Sequence, residues 1–241
     1  MENNFVMKTN ELSLWISTVM IALLAYLLDI RYAVVLIFWI VVIIFVGNAK
    51  RFYSDSHYVV STIIRRSMYV VPFLLPLLTD FTIDFRCEYL VLWCFLGIMV
   101  GILMILPKKS HWEIILSKEI IETMAKRPKS DYYTQMYMLI GAAIGEEIFF
   151  RNFVIGYIDN VPYVVAIFLS CGLFFLNHFG VKWNTSFTMY DYIIQIVFAI
   201  ISSIIFITSK SVLPSIAVHI TYNFPSMLLV IKSYIYHYSS Q

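Results

Sequence analysis

Long apolar runs separated by short polar stretches make up most of this chain. A helix needs about 20 apolar residues to cross a bilayer, and on that measure the runs at 12–28, 32–47, 67–83, 89–106, 132–158, 161–178, 191–208 and 212–235 each predict a spanning helix. The fold class that follows is all-α, a polytopic membrane helix bundle of about eight transmembrane helices. Pro72 and Pro76 place a kink in the third run, whose freed carbonyls must find partners on neighbouring helices. Between 107 and 131 the apolar residues Trp112, Ile115, Leu116, Ile120, Ile121 and Met124 recur at helical spacing among charges. That is the pattern of an amphipathic helix lying along the cytoplasmic interface.

Composition agrees with the pattern. The 241 residues are 61% hydrophobic and 13% charged, with mean hydropathy +0.81, against about 25% charged in soluble domains. No polar stretch is long enough for a sizeable soluble domain, and no internal repeat or domain-separating linker is visible. Cys87, Cys94 and Cys171 form neither a CxxC pair nor a metal-ligand spacing and read as packing residues. Lys8 precedes the first apolar run and no small-residue cleavage site follows it, so that run reads as a retained span rather than a signal peptide.

Charge fixes an orientation. With the N-terminus inside, thirteen Lys and Arg fall on the cytoplasmic side, from Lys8 through Lys50, Arg51, Arg65, Arg66 and the Lys108 to Lys129 loop to Lys182 and Lys232. Only Arg31, Arg86 and Lys210 fall outside, and Arg151 is buried in a span. The positive-inside rule then puts both termini in the cytoplasm. Anionic headgroups suit the basic loops, although topology alone accounts for most of these lysines.

One run breaks the apolar pattern at its centre: Gly145-Glu146-Glu147-Ile148-Phe149-Phe150-Arg151. Each ionisable group near the bilayer centre costs at least about 2.5 to 3.5 kcal/mol. Glu147 and Arg151, at i and i+4, share a helix face and can pair. Glu146 lies about 100° further round and needs a partner of its own. A structural ion pair or a helix end at the interface is the plain alternative.

Three further polar groups stand in or at the edge of apolar spans: His178, His219 and Asn223, the last two on one helix face at i, i+4. A lone membrane histidine is often only a hydrogen-bonded interior residue. Together with two glutamates, these groups suit hydrolysis: a glutamate and a histidine to deprotonate water, a second histidine and an amide to donate to an oxyanion. No serine or cysteine is comparably placed beside a base.

In order, Glu146-Glu147-xxx-Arg151, Phe174-xxx-His178 and His219-xxx-Asn223 resemble the three motifs of the CAAX-protease and bacteriocin-processing (CPBP, or Abi) family of intramembrane proteases, which includes Rce1. The resemblance runs from about Tyr132 to Lys232. It implies a catalytic core over 132–241 within the same membrane domain, while residues 1–131 read, from hydropathy and charge, as N-terminal transmembrane helices with cytoplasmic basic loops. It implies that Glu146 and His178 activate water, that His219 and Asn223 stabilise the oxyanion, and that Glu147, Arg151 and Phe174 support the site. No cofactor is required on that reading. Zinc is the alternative, with Glu146, His178 and His219 as three ligands and water as the fourth, although the HExxH motif is lacking.

The function expected is an intramembrane endopeptidase acting on a bacteriocin or pheromone-type precursor or a CAAX-like substrate. Its partners are the lipid bilayer and a peptide or membrane-anchored protein, with no nucleic acid, and its place is a bacterial plasma membrane. A non-proteolytic immunity or scaffold protein of the same family is the alternative, and a transporter using Glu146 as a proton site leaves the His-xxx-Asn pair unexplained. One conflict stands: in straight spans drawn at these bounds, His178 falls at the cytoplasmic end of its helix and His219 nearer the opposite face. Either the sixth helix is tilted or displaced, or Pro214 marks a later start for the eighth.

The charge split makes the topology testable by cysteine labelling, after replacement of the three native cysteines. Lys118→Cys should resist an impermeant thiol reagent added from outside, and ready modification would overturn the assigned orientation.

Overall fold

A computed structural model describes residues 15–16, 18–23, 26–27, 29–157, 161–181 and 188–239, with the side chains of 179–181 excepted. Helices run over Arg31–Asn48 (α1), Tyr58–Ser67 (α2), Leu90–Ile105 (α3), Lys109–Ile115 (α4), Lys118–Thr123 (α5), Lys129–Glu147 (α6), Tyr163–Val181 (α7), Met189–Ser209 (α8) and Val212–Tyr238 (α9). A 3₁₀ segment, Val71–Leu78, follows α2, and a π-helical segment, Ile148–Phe153, continues α6 into one further α turn, Val154–Gly156. Among the described residues no strand forms.

The count of spans is corrected. Among the described residues four helices are long and apolar enough to cross a membrane: Arg31–Arg51, Leu90–Ile115, Met189–Ser209 and Val212–Tyr238. A fifth arises if the bent pair Tyr58–Ser67 and Val71–Leu78 is one broken span. The protein is thus an all-α, membrane-associated helix bundle with four, or up to five, such helices and not about eight. Two of the shortfalls have a physical cause.

The run at 67–83 opens at a break, where Tyr58–Ser67 and Val71–Leu78 meet at 52°, and Pro72 and Pro76 beyond it each lack the N–H that continues a helix. The run at 132–158 carries Glu146, Glu147 and Arg151 in its centre. Of α7, Tyr163–His178 is the stretch whose side chains are described, an apolar helix shorter than a straight crossing requires. Residues 12–14, 17, 24–25 and 28 of the first run lie outside the described residues, as do Lys8 and Lys182.

The amphipathic stretch is also not one helix. α3 runs on through a 3₁₀ turn, Leu106–Lys108, into α4. Ser117 is then extended, and its hydroxyl accepts from the Ile120 N–H to begin α5, the role serine fills at helix starts. Pro128, extended and without an N–H, separates α5 from α6.

The chain's apolar surplus faces outward. Val91, Leu92, Phe95, Leu96, Ile98, Met99, Ile102 and Leu103 of α3 are exposed, a continuous surface that suits lipid and not water. Together with the long apolar helices it makes this an integral membrane protein. Buried packing is concentrated on a few faces. Tyr32, Val35, Trp39, Val42 and Val46 form the inner stripe of α1, which packs on α7 and the 3₁₀ segment. Phe73, Phe149, Phe150, Phe153, Phe174 and Phe198 join it in one aromatic core.

Two pairs of glycines, spaced i, i+4, set how closely helices approach, a signal present in the sequence and used by membrane helices in general. On α3, a Cβ at Gly97 would stand 2.5 Å from the Pro214 carbonyl oxygen, and one at Gly101 would stand 2.6 Å from Thr221 Cβ. The α3–α9 contact is the most extensive between any two elements described. On α6, Gly141 and Gly145 let Val70 and Phe73 press against the backbone just before Glu146.

Gly97→Ala forces α3 and α9 apart and should lower thermal stability in detergent by about 1 to 3 kcal/mol, the usual cost of overpacking. Gly172→Ala on α7, where nothing stands within 4 Å, should leave stability unchanged or raise it, because alanine is the better helix former. Equal loss in both variants would show that the close approach at Gly97 does not matter.

Candidate active site

The polar groups singled out in the sequence converge where α6, α7 and α9 meet. Glu146 and Glu147 end α6, and the chain passes at once into the π-helical turn Ile148–Phe153, all of it buried. Such turns occur often at functional sites. Ser170 of α7, fully buried, donates its hydroxyl to the Phe150 carbonyl and ties α7 to this turn. Asn152 holds the turn from its other side, its Oδ1 accepting from the Asp84 N–H at 2.8 Å.

Glu147 and Arg151 are both 0% exposed. Arg151 Nε lies 3.2 Å from Glu147 Oε2, an ion pair at contact distance but not aligned as a hydrogen bond. Arg151 Nη1 and Nη2 have no hydrogen-bond partner among the described residues. What they have is aromatic: the guanidinium carbon stands 4.5 Å from the Phe174 ring centroid and 5.4 Å from that of Phe198. Cation–π attraction is strongest when desolvated, at about 2 kcal/mol or more, and it offsets part of the burial cost here. Phe174 is therefore more than filler, since it also lies 4.3 Å from the His178 ring.

Glu147 has a second partner that the spacing did not reveal. His219 Nδ1 donates to Glu147 Oε1 at 2.8 Å, with His219 only 6% exposed. One carboxylate thus holds both the guanidinium and an imidazole from α9. Glu146, one residue earlier, points to α7, where its Oε2 lies 3.6 Å from His178 Nε2. His178 Nδ1 is 3.0 Å from the Phe174 carbonyl. A carbonyl only accepts, so Nδ1 carries a proton and Nε2 is the ring atom turned toward Glu146. Both histidines are therefore oriented through Nδ1, one by a carboxylate and one by a backbone carbonyl.

Asn223, one turn beyond His219, donates Nδ2 to the Leu139 carbonyl of α6 at 3.3 Å, so part of its amide is spent on joining two helices. The conflict over depth resolves on α7. α9 begins at Val212, with Pro214 in its first turn, so Pro214 does not mark a later start. His219 lies about 10 Å along α9 and His178 about 22 Å along α7, at 1.5 Å per residue. Since both meet the α6 carboxylates, α7 is tilted or displaced along the bundle relative to α9.

A cavity of about 350 Å³ opens in front of these groups, lined by Glu146, His178, His219 and Asn223 and by residues outside the motifs. A second, of about 170 Å³, lies behind them and adds Asp191, Gln195 and Tyr222. Three of the first cavity's residues, Lys50, Arg66 and Tyr69, come from α2 and the segments beside it. Asn177 lines it too, its buried Oδ1 without a hydrogen-bond partner among the described residues. Motif reading missed all four. Adjacency to His178 was the available signal for Asn177, while nothing local marks Lys50, Arg66 or Tyr69, which arrive by tertiary packing.

The zinc alternative was tested against this geometry. Imidazoles oriented through Nδ1 are common among metal ligands. Yet among the described residues no three His, Cys, Asp or Glu side chains converge as ligands of one ion. Glu146, His178 and His219 do not fit a metal in this arrangement.

Among known families, the model described as "Type II CAAX prenyl endopeptidase Rce1-like" matches residues 128–225, about two-fifths of the chain. That stretch holds Glu146, Glu147, Arg151, Phe174, His178, His219 and Asn223. No curated protein and no solved structure matches the chain.

The contacts separate the two glutamates. Removing one member of a buried ion pair costs about 3 to 5 kcal/mol, so Glu147→Gln and Arg151→Ala should both lower abundance in the membrane and thermal stability in detergent. Glu146→Gln, nearly isosteric and outside the Arg151 pair, should stay near wild type. Should Glu146→Gln prove the least stable of the three, the structural and chemical roles of the carboxylates are reversed.

Proposed function

We propose, from the Rce1-like CAAX-protease domain that the chain carries over residues 128–225, that it is an intramembrane endopeptidase. It hydrolyses a peptide bond of a membrane-associated peptide or protein, in the class of bacteriocin or pheromone precursors or CAAX-like substrates. The observation that carries this reading is the Glu146–His178 contact at 3.6 Å, at the wall of a cavity shared with His219 and Asn223.

In the proposed reaction the Glu146 carboxylate, with His178 Nε2 beside it, takes a proton from water as the water oxygen attacks the scissile carbonyl. The carbonyl π electrons move to oxygen, giving a tetrahedral oxyanion. That oxyanion is met by the amide hydrogen Asn223 has left after its bond to Leu139 and by His219. His219 gives its Nδ1 proton to Glu147, so its Nε2 donates only when the ring is doubly protonated. Glu147 holds the ring in place for that donation, much as the carboxylate of a catalytic triad orients its histidine. Collapse of the intermediate breaks the C–N bond, and the proton held at Glu146 and His178 passes to the leaving amine.

This assignment orders the variants. Glu146→Ala and His178→Ala should abolish cleavage, since the proposed activation of water needs the carboxylate and the imidazole together. Asn223→Ala should retain a residue of activity, because one oxyanion donor is typically worth about 10² to 10³ in rate. Comparative peptidomics of membranes and medium, with and without Glu146→Ala, identifies the substrate and reads the effect. A chelator should leave wild-type cleavage unchanged. Identical peptidomes would remove the hydrolytic reading and favour the immunity or scaffold role, while zinc-restorable loss under chelation would make Glu146, His178 and His219 metal ligands.

A further inference from the structure

Away from the glutamates, a cavity of about 650 Å³ lies where α3 begins and α8 ends, lined by Arg86, Glu88, Tyr89, Trp93 and Lys210 among others. Leu90 opens one membrane-crossing helix and Ser209 closes another, so the cavity stands where apolar spans give way to the polar edge of a bilayer. Two cations line it against one carboxylate, Glu88. The Arg86 and Lys210 side chains are exposed and form no ion pair or hydrogen bond among the described residues. They come from different segments: Arg86 from the loop before α3, and Lys210 from the turn between α8 and α9. That loop is tied to the candidate site, since the Asp84 N–H donates to Asn152 Oδ1 at 2.8 Å and the Asp84 carbonyl accepts from the Val212 N–H, which opens α9, at 2.9 Å.

A guanidinium and an ammonium presented together at headgroup depth match a phosphate, the first by its paired donors and the second as a point charge. The exposed apolar face of α3, with Val91, Leu92 and Phe95, begins within one turn of Tyr89, and acyl chains can lie along it. Tyr89 and Trp93 are of the residue types that settle at this depth. Tyr89 and Lys210 are also the two non-glycine residues, among those described, with left-handed backbone, at φ 55° and 56°. Side chains of this size rarely adopt that conformation, and such positions cluster at ligand clamps and active sites.

We propose that Arg86 and Lys210 hold the phosphate of a membrane phospholipid whose acyl chains lie along α3, with Glu88 accepting from a hydroxyl or ammonium of the same headgroup. The lipid bridges the loop before α3 to the turn between α8 and α9, and so steadies the end of the bundle from which α9 runs toward His219. The site does not depend on how Glu146 is read.

The experiment follows thermal unfolding of the full-length protein, purified in a non-ionic detergent and stripped of lipid. Three probes are compared: phosphatidylglycerol, with phosphate and chains; diacylglycerol, with chains alone; and glycerol phosphate, with phosphate alone. Phosphatidylglycerol should raise the midpoint with rising concentration, as a ligand of the folded state does, and the other two should not. Arg86→Gln with Lys210→Gln should raise the half-saturating concentration of phosphatidylglycerol by about 30-fold, the effect of two cations at an anionic surface. Without lipid that variant should unfold with the wild type, because neither side chain makes a polar contact to lose. Lys109→Gln with Lys118→Gln removes the same charge from α4 and α5 and should leave the half-saturating concentration unchanged. Equal loss in the two double variants, or an undiminished response without Arg86 and Lys210, overturns the site. Diacylglycerol as effective as phosphatidylglycerol overturns phosphate recognition, and glycerol phosphate as effective overturns the lipid and leaves a free phosphate ester as the ligand.

Discussion

A buried charge cluster is the constraint on which the rest of this structure depends. Glu147 and Arg151 are wholly removed from solvent in a chain whose outer surface suits lipid, where an uncompensated charge costs several kcal/mol. Their spacing on one helix supplies the ion pair, but a guanidinium has five donors and one carboxylate satisfies few of them. Phe174 and Phe198 stack on the remainder, and His219 takes the other oxygen of Glu147. α6, α7, α8 and α9 each contribute to sheltering this one pair. Their relative positions are thereby fixed to within hydrogen-bond tolerance.

That arrangement sets the direction of Glu146. Because Glu147 absorbs the structural demand, the neighbouring carboxylate points to the cavity and to His178. The two histidines are set by one device, an Nδ1 proton given to a fixed acceptor, which leaves each Nε2 as the variable atom. In the proposed chemistry one of these acts as a base and the other as a donor, and the difference lies in the acceptor: a neutral carbonyl behind His178 and a carboxylate behind His219.

Rigidity around the cluster comes from close backbone approach more than from bulk. Gly97 and Gly101 bring α3 against α9, and Gly141 and Gly145 bring the broken Tyr58–Leu78 pair against α6. The second of these contacts carries Arg66 and Tyr69 to the cavity. A span interrupted by Pro72 and Pro76 is a poor membrane crossing, yet its bend is what turns residues far from the motifs toward Glu146.

The sequence by itself determined the all-α membrane class, because the cost of unsatisfied backbone in lipid and the 1.5 Å rise of a helix act on any apolar run regardless of its neighbours. It also determined which residues share a face, Glu147 with Arg151 and His219 with Asn223, since i, i+4 spacing is a local property. It did not determine how many runs cross. A straight span, a bent pair and a charged helix look alike to a count of hydropathy, and differ only once packing decides what shelters them. Tertiary structure alone decided that Glu147 serves His219 as well as Arg151, that His178 meets Glu146 despite the depth conflict, and that Lys50 and Arg66 join the cavity. Each of these contacts joins residues from different helices. Helical periodicity carries no information about the distance between two helices, so only the packed bundle could bring those atoms together.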